Sequence, residues 1–336
     1  ILLIFSSLVF LFTACTPTTC EPTFNVTKPD DTNDGDCTAG DCSLREAVIK
    51  ANTCPGPQTI NLPADGYILS LDGDDEDLGA TGDLDVTDHL IIIGTGAPSI
   101  NGNIERAFHV HTGVIAEFDG IWLTDGDAII GGGLINEGTL ALNSFTCNYN
   151  SVAMPPGGMG DARGGCIFNA GNLAIENGNF LENSARQGGA IYNHDSATLT
   201  IEASNFTANF AESLGGAIWN GIGADLTITE STLDQNVSGL NGGAIWSHGS
   251  VLGEGLVIDD NEATGSGGGI YTWESSAIFY DVWVTQNTAS LGGGIYNDHS
   301  MVHFYESGLT ANHAFGNGGA VNNFDSNPTY PSGGLL

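Results

Sequence analysis

Asp234 and Asp259 sit in two segments of one pattern, Leu233-Asp234-Gln235-Asn236 and Ile258-Asp259-Asp260-Asn261. If these segments stack as neighbouring strands, the two carboxylates stand about 4.8 Å apart. Like charges at that separation raise one pKa or recruit a cation, and an all-oxygen donor set favours Ca²⁺. A short carboxylate spacing also suits a retaining glycosidase, and Asp260 adds a third acid. No Lys or Arg follows Arg186, so the acids have no base beside them. The plainer expectation is therefore an acidic stripe without enzymatic role.

A second constellation is aromatic. Phe168, Tyr192, Trp219, Trp246, Tyr271 and Tyr296 each follow the aliphatic residue of a recurring glycine mark. If the aliphatic residue points inward on a strand, alternation turns the aromatic column outward. Six such rings can bind sugar faces or anchor a partner protein. Alternatively they stack on one another and on the adjacent loop 153–163, protecting that face.

Other groups give weaker signals. Asp30, Thr32, Asp34, Gly35 and Asp41 fall at positions of an EF-hand-like loop, but Thr is a poor third ligand and Asp is short for the last. That loop, and the acidic run Asp72 to Asp77, read as solvated charge. His109 and His111 alternate and would share a strand face, yet no third ligand stands near them in sequence, so they read as surface residues. His194, His248 and His299 lie two repeats apart, too far to share a metal. No nucleophile triad, phosphate loop or dinucleotide fingerprint appears.

The elements that position these residues come from a repeat. Gly-Gly-small-aliphatic begins at residues 131, 164, 188, 215, 242, 267, 292 and 318, at spacings of 33, 24, 27, 27, 25, 25 and 26. The 153–163 insertion, rich in Gly and Pro, accounts for the long first spacing. A second mark, apolar-x-x-Asn, ends at Asn148, Asn183, Asn209, Asn236, Asn261, Asn287 and Asn312. Between them lie alternating pieces such as Leu173-x-Ile175 and Leu199-x-Ile201. Three short strands in about 25 residues without a helix predict a right-handed parallel β-helix. Its core columns run through Leu134, Ile167, Ile191, Ile218, Ile245, Ile270, Ile295 and Val321, and seven intervals at 4.8 Å rise span about 34 Å. Upstream, Leu84-x-Val86, Leu90 to Ile93, Phe108-x-Val110 and Ile121-x-Leu123 read as strands of irregular early coils.

Composition bounds the compartment. Of 336 residues 40 are acidic and 6 basic, a formal charge of −34. Phosphate backbones need clustered Lys and Arg, so nucleic acid is excluded as a partner, and the same shortage argues against an anionic membrane surface. Self-repulsion on this scale is tolerated where salt screens it, which points outside the cell. Ile1 to Ala14 is an apolar run of signal-peptide length, and Phe12-Thr13-Ala14-Cys15 is similar to a bacterial lipobox, implying a lipid on Cys15 as the membrane anchor. Thr16 in place of Asp after that Cys implies delivery to the outer membrane. Six further cysteines suit an oxidising compartment. Proximity pairs Cys37 with Cys42 and then Cys147 with Cys166, leaving Cys20 for Cys54. The chain opens on Ile and closes on Gly-Gly-Leu-Leu, so it is expected to be truncated at both ends.

Ser43 and Glu46 form a capping box at the start of a helix whose Leu44, Ala47, Val48 and Ala51 share one face, suited to cover the open end of a solenoid. The stretch CSLREAV, followed by AN, NLP and GDLDV, resembles the bacterial CSLREA-domain proteins, while GGAIYN and FTAN resemble repeats of chlamydial polymorphic outer membrane proteins. The resemblance implies a pectin-lyase-like β-helix on the cell surface and carries no reaction. The expected organisation is a signal peptide (1–14), a linker after lipidated Cys15 (15–24), a CSLREA-type cap with irregular coils (25–130) and regular repeats (131–336). The expected function is adhesion or surface interaction with a glycan or protein ligand, needing no cofactor beyond Ca²⁺ at the acidic pair. A polysaccharide-binding or polysaccharide-degrading lyase or hydrolase is the alternative.

Overall fold

The computed structural model describes residues 20–73, 78–103, 105–152 and 162–324. The expected signal peptide (1–14), Cys15, most of the 153–163 insertion, residues 74–77 of the acidic run and the last residues lie outside that set.

The chain is an all-β parallel solenoid of about nine turns, about 26 residues to a turn. One coil shows the plan. Ile191–Asn193 leads to Thr198–Glu202, then Asn205–Thr207, then Phe210–Leu214, and Ile218–Asn220 begins the next coil. Each strand pairs in parallel with its counterpart one coil away, producing sheets of 11, 10, 10 and 8 strands. From Asp127 onward there are thus four strands per coil, three sheets plus a fourth, where the sequence suggested three. The fourth buries one small side chain on its inner face, such as Ala185, Ala211, Ser238 or Ala263. A single inward residue leaves no alternation to detect.

The core runs down the inside as aligned columns. Leu84, Phe108, Leu134, Ile167, Ile191, Ile218, Ile245, Ile270, Ile295 and Val321 occupy one register, and the first nine are fully buried. The coils from Leu84 onward belong to the same sheets as the later repeats, so pairing crosses residue 131 without a break. The glycine pairs build one corner for two reasons. Gly215 has φ +66, and a Cβ on Gly216 would come within 2.0 Å of the Gly243 carbonyl on the next coil. One glycine supplies the left-handed backbone and the other permits coil-to-coil contact. A second corner uses non-glycine residues in that conformation, among them Ala208, Gln235, Asp260 and Gln286.

Directly after that corner an asparagine turns inward. Asn183, Asn209, Asn236, Asn261 and Asn287 are buried, and each accepts at Oδ1 from the backbone N–H and Nδ2 of its counterpart on the preceding coil at 2.9–3.2 Å. The first rung is Asn150; Asn148, the expected one, sits on the rim. Cys147, in register with Phe180, holds the inward apolar position that Phe145 was expected to fill, which moves the asparagine two residues on. A second ladder runs through Asn136, Asn169, Asn193 and Asn220 at 2.7–2.8 Å. Both ladders satisfy amides and backbone groups that a dry corner would otherwise leave unpaired.

The helix Leu44–Asn52 covers the amino-terminal end, with Ser43 and Glu46 closing the capping box. Arg45 is fully buried. Its guanidinium donates to both Asp31 carboxylate oxygens at 2.7 and 3.1 Å and to the carbonyls of Gly79, Gly82 and Asp83. Cys20–Cys54, Cys37–Cys42 and Cys147–Cys166 are bonded, with Cα separations of 5.5, 4.2 and 6.3 Å.

Candidate functional site

One outer face carries most of the groups singled out above. Its column begins with Asp85, continues through His109 and Ile135, and then becomes the aromatic run Phe168, Tyr192, Trp219, Trp246, Tyr271, Tyr296. Alternation does turn these side chains away from the main core. The rings then stack on each other, at centroid separations of 5.3, 4.0, 5.2, 6.4 and 5.2 Å and interplanar angles of 1–9°. Tyr192, Trp219, Trp246 and Tyr271 are buried, with Leu214 packed against the stack. The Arg163 guanidinium lies 5.0 Å from the Tyr192 centroid, and Trp273 meets Trp246 edge-on. Ring faces that a sugar would need are therefore occupied by neighbouring rings. This arrangement is a thin second core, worth about 0.5–1.5 kcal/mol per ring pair beyond burial. Tyr271 donates to Asp298 Oδ2 at 2.8 Å, and burial pushes its phenol well above the usual range.

Asp234 and Asp259 face each other in register on adjacent strands. Burial, then repulsion from Asp259 and Asp260, raises the Asp234 carboxyl above the ordinary range. The acidic column ends after these two rungs, because Thr207 precedes and Thr285 follows. Asp259 accepts from the Thr285 hydroxyl and from Gln286 Nε2 at 2.9 and 3.1 Å. Asp260 occupies the left-handed corner, φ +50.

The EF-hand-like segment is used otherwise. Asp31 holds Arg45, the Thr32 hydroxyl donates to Glu46, the Asp34 N–H donates to Glu46, and Asp41 pairs with Lys28. These oxygens are spread around the helix start.

Sequence reasoning missed Asp85. The expectation that His109 and His111 lack a third ligand is corrected by the register, which sets buried Asp85 beside His109 from one coil upstream. His111 Nε2 lies 2.6 Å and His109 Nδ1 3.7 Å from Asp85 Oδ1. The available signal was the period itself, since Asp85 precedes His109 by 24 residues.

The fold defines a parallel β-solenoid whose regular walls carry these clusters. Residues 177–194 and 255–272 match the Chlamydia polymorphic membrane protein repeat. Each matched segment spans an inward asparagine and the glycine corner that follows it, the two features that close a coil. No curated protein and no solved structure is significantly similar to the chain. The repeat suggests an outer-membrane or surface β-helix protein. No helix among the described residues is long and apolar enough to cross a membrane.

Proposed function

We propose that the protein is displayed on the outer membrane through a lipid on Cys15 and acts in adhesion or surface interaction, binding a glycan or protein ligand without catalysis. The polymorphic membrane protein repeat carries this reading, because it matches the residues that make the coils. The long β-wall and the acidic balance are consistent with a scaffold held away from the cell. The CSLREA resemblance of the amino-terminal cap points the same way. Ca²⁺ at Asp234 and Asp259 belongs to the proposal as a stabilising ion.

A polysaccharide-cleaving enzyme is the second reading, favoured by the in-register pair with its raised Asp234 carboxyl. Against it stands the lack of any Lys or Arg beyond Arg186 in the sequence. A binding screen of the soluble chain against glycans and host-surface proteins tests both readings when reducing-sugar and unsaturated-product release are followed in parallel. Saturable binding without product supports adhesion. Product formation that is lost in D234N and D259N variants would replace adhesion with the enzyme.

A further inference from the structure

We propose that Asp85, His109 and His111 form a binding site for a divalent transition-metal ion of the zinc type. All three lie on the outer face of the sheet that Leu84–Val86 and Phe108–Val110 begin. Phe108 and Val110 point into the core and are fully buried, so His109 and His111 on either side of Val110 project outward together. Asp85 lies between buried Leu84 and Val86 on the neighbouring strand, in register with His109. One ligand atom from each residue lies within 4.8 Å of the other two. Two ligands of a tetrahedral ion at Zn–N and Zn–O distances of 2.0–2.2 Å stand about 3.3–3.5 Å apart. The observed 2.6 and 3.7 Å separations from Asp85 Oδ1 bracket that value, so side-chain adjustments below an ångström would seat the ion.

The surroundings are those of a prepared ligand set. Asp85 Oδ2 accepts from the Gly79 N–H at 2.9 Å, which fixes the carboxylate and leaves Oδ1 aimed at both imidazoles. Gly79 has φ +67, and a Cβ there would come within 3.3 Å of the Asp85 nitrogen, so glycine eases the close approach of the loop. On the far side of the His109 ring, Nε2 is buried without a hydrogen-bond partner, and Glu137 Oε2 stands 3.7 Å away. Coordination through Nδ1 would place the Nε2–H toward Glu137, the outer-shell carboxylate that ligating histidines commonly have. Asp85 and His109 stand on paired strands, and His111 continues the ladder by donating its backbone N–H to Val86 O at 3.1 Å. All three ligands are thus carried by hydrogen-bonded backbone.

The placement of charge also favours a cation. Arg106, the cation beside the site, is paired with Asp83, which leaves the Asp85 charge facing two stacked imidazoles with centroids 4.0 Å apart. Two imidazoles and a carboxylate suit zinc, nickel or copper, whereas Ca²⁺ takes six to eight oxygens. Such an ion would tie together the two coils that carry the first two strands of this sheet, at the edge of the aromatic column.

The test starts from full-length protein stripped with EDTA. Zn²⁺ is titrated by calorimetry, and bound metal is counted by elemental analysis after gel filtration. One zinc per chain is expected, with affinity at least tenfold weaker in H109Q and in H111Q and unchanged in H313Q, whose histidine lies at the other end of the solenoid. Both site variants should keep the wild-type circular dichroism and melting curve in EDTA, which separates ligand loss from misfolding. Co²⁺ should give visible d–d bands that H111Q abolishes. The proposal is overturned if folded protein takes up no zinc, if H109Q and H111Q bind it as the wild type does, or if equimolar Ca²⁺ displaces it.

Discussion

Replacing Asn236 by Ala tests the inward asparagine ladder at its centre. The side chain donates from Nδ2 to Phe206 O at 2.9 Å and to Asn261 Oδ1 at 3.0 Å, and its Oδ1 accepts from the Asn209 backbone N–H and Nδ2, both at 3.0 Å. Alanine removes all four bonds and leaves the Asn209 donors facing a gap inside the wall. Each buried polar group left without a partner costs about 1–3 kcal/mol. Two or three such groups give a loss of about 3–5 kcal/mol, a large part of the roughly 5–15 kcal/mol typical of a domain. At the usual conversion this lowers Tm on the order of 10 °C. Asn148→Ala is the internal control, because the half-buried Asn148 side chain leaves the strand on the face opposite inward Cys147 and its buried Oδ1 has no hydrogen-bond partner to lose; its effect should stay within about 0.5 kcal/mol. Urea and thermal melts followed by circular dichroism measure both. Equal losses from the two variants, or a larger loss from Asn148→Ala, would refute the register from Cys147 to Asn150 and the ladder built on it.

Further outcomes test the anchor, the core register and the acidic pair. Cys15→Ser should move the protein from the membrane to the soluble fraction, and unchanged sedimentation would remove the lipid anchor. Ile218→Asp places an unpaired charge in a fully buried column and should abolish cooperative unfolding at a cost of several kcal/mol; wild-type melting would mean that Ile218 does not face inward. The raised Asp234 carboxyl makes its ionised form a cost to the folded state that is present at neutral pH and fades as the pH falls toward the carboxylate range. Asp234→Asn should accordingly raise Tm at neutral pH, with the gain shrinking on acidification, and the D234N/D259N pair should lose the part of the Ca²⁺-dependent melting shift that NaCl at matched ionic strength does not reproduce.

Much of the fold is legible in the sequence because a solenoid writes each structural requirement once per coil. The glycine corner, the Leu134-to-Val321 column and the capping box at Ser43 and Glu46 each rest on local chemistry that forces a residue type. The fourth strand is illegible because one Ala or Ser per coil makes no pattern. The Asn150 rung is hidden because Cys147 stands in an apolar position where the later repeats have Phe180 or Phe206. Asp85 escapes for a different reason: ligand spacing read along a chain finds neighbours on one strand or helix, while this carboxylate approaches from the adjacent coil. The fate of the aromatic column also depends on lateral contact. Alternation says which way Tyr192 and Trp219 leave the strand, but only the coil spacing says that the rings meet and cover one another.

Display on the cell surface is tested most directly by treating intact cells that express the full chain with an external protease and following the protein by immunoblot. Surface display predicts that the protein, or a protease-resistant solenoid core cut from its anchor, is released into the medium while a periplasmic marker stays intact. Retention of full-length, cell-associated protein until the outer membrane is permeabilised, under conditions where the purified protein is cleaved, would contradict it.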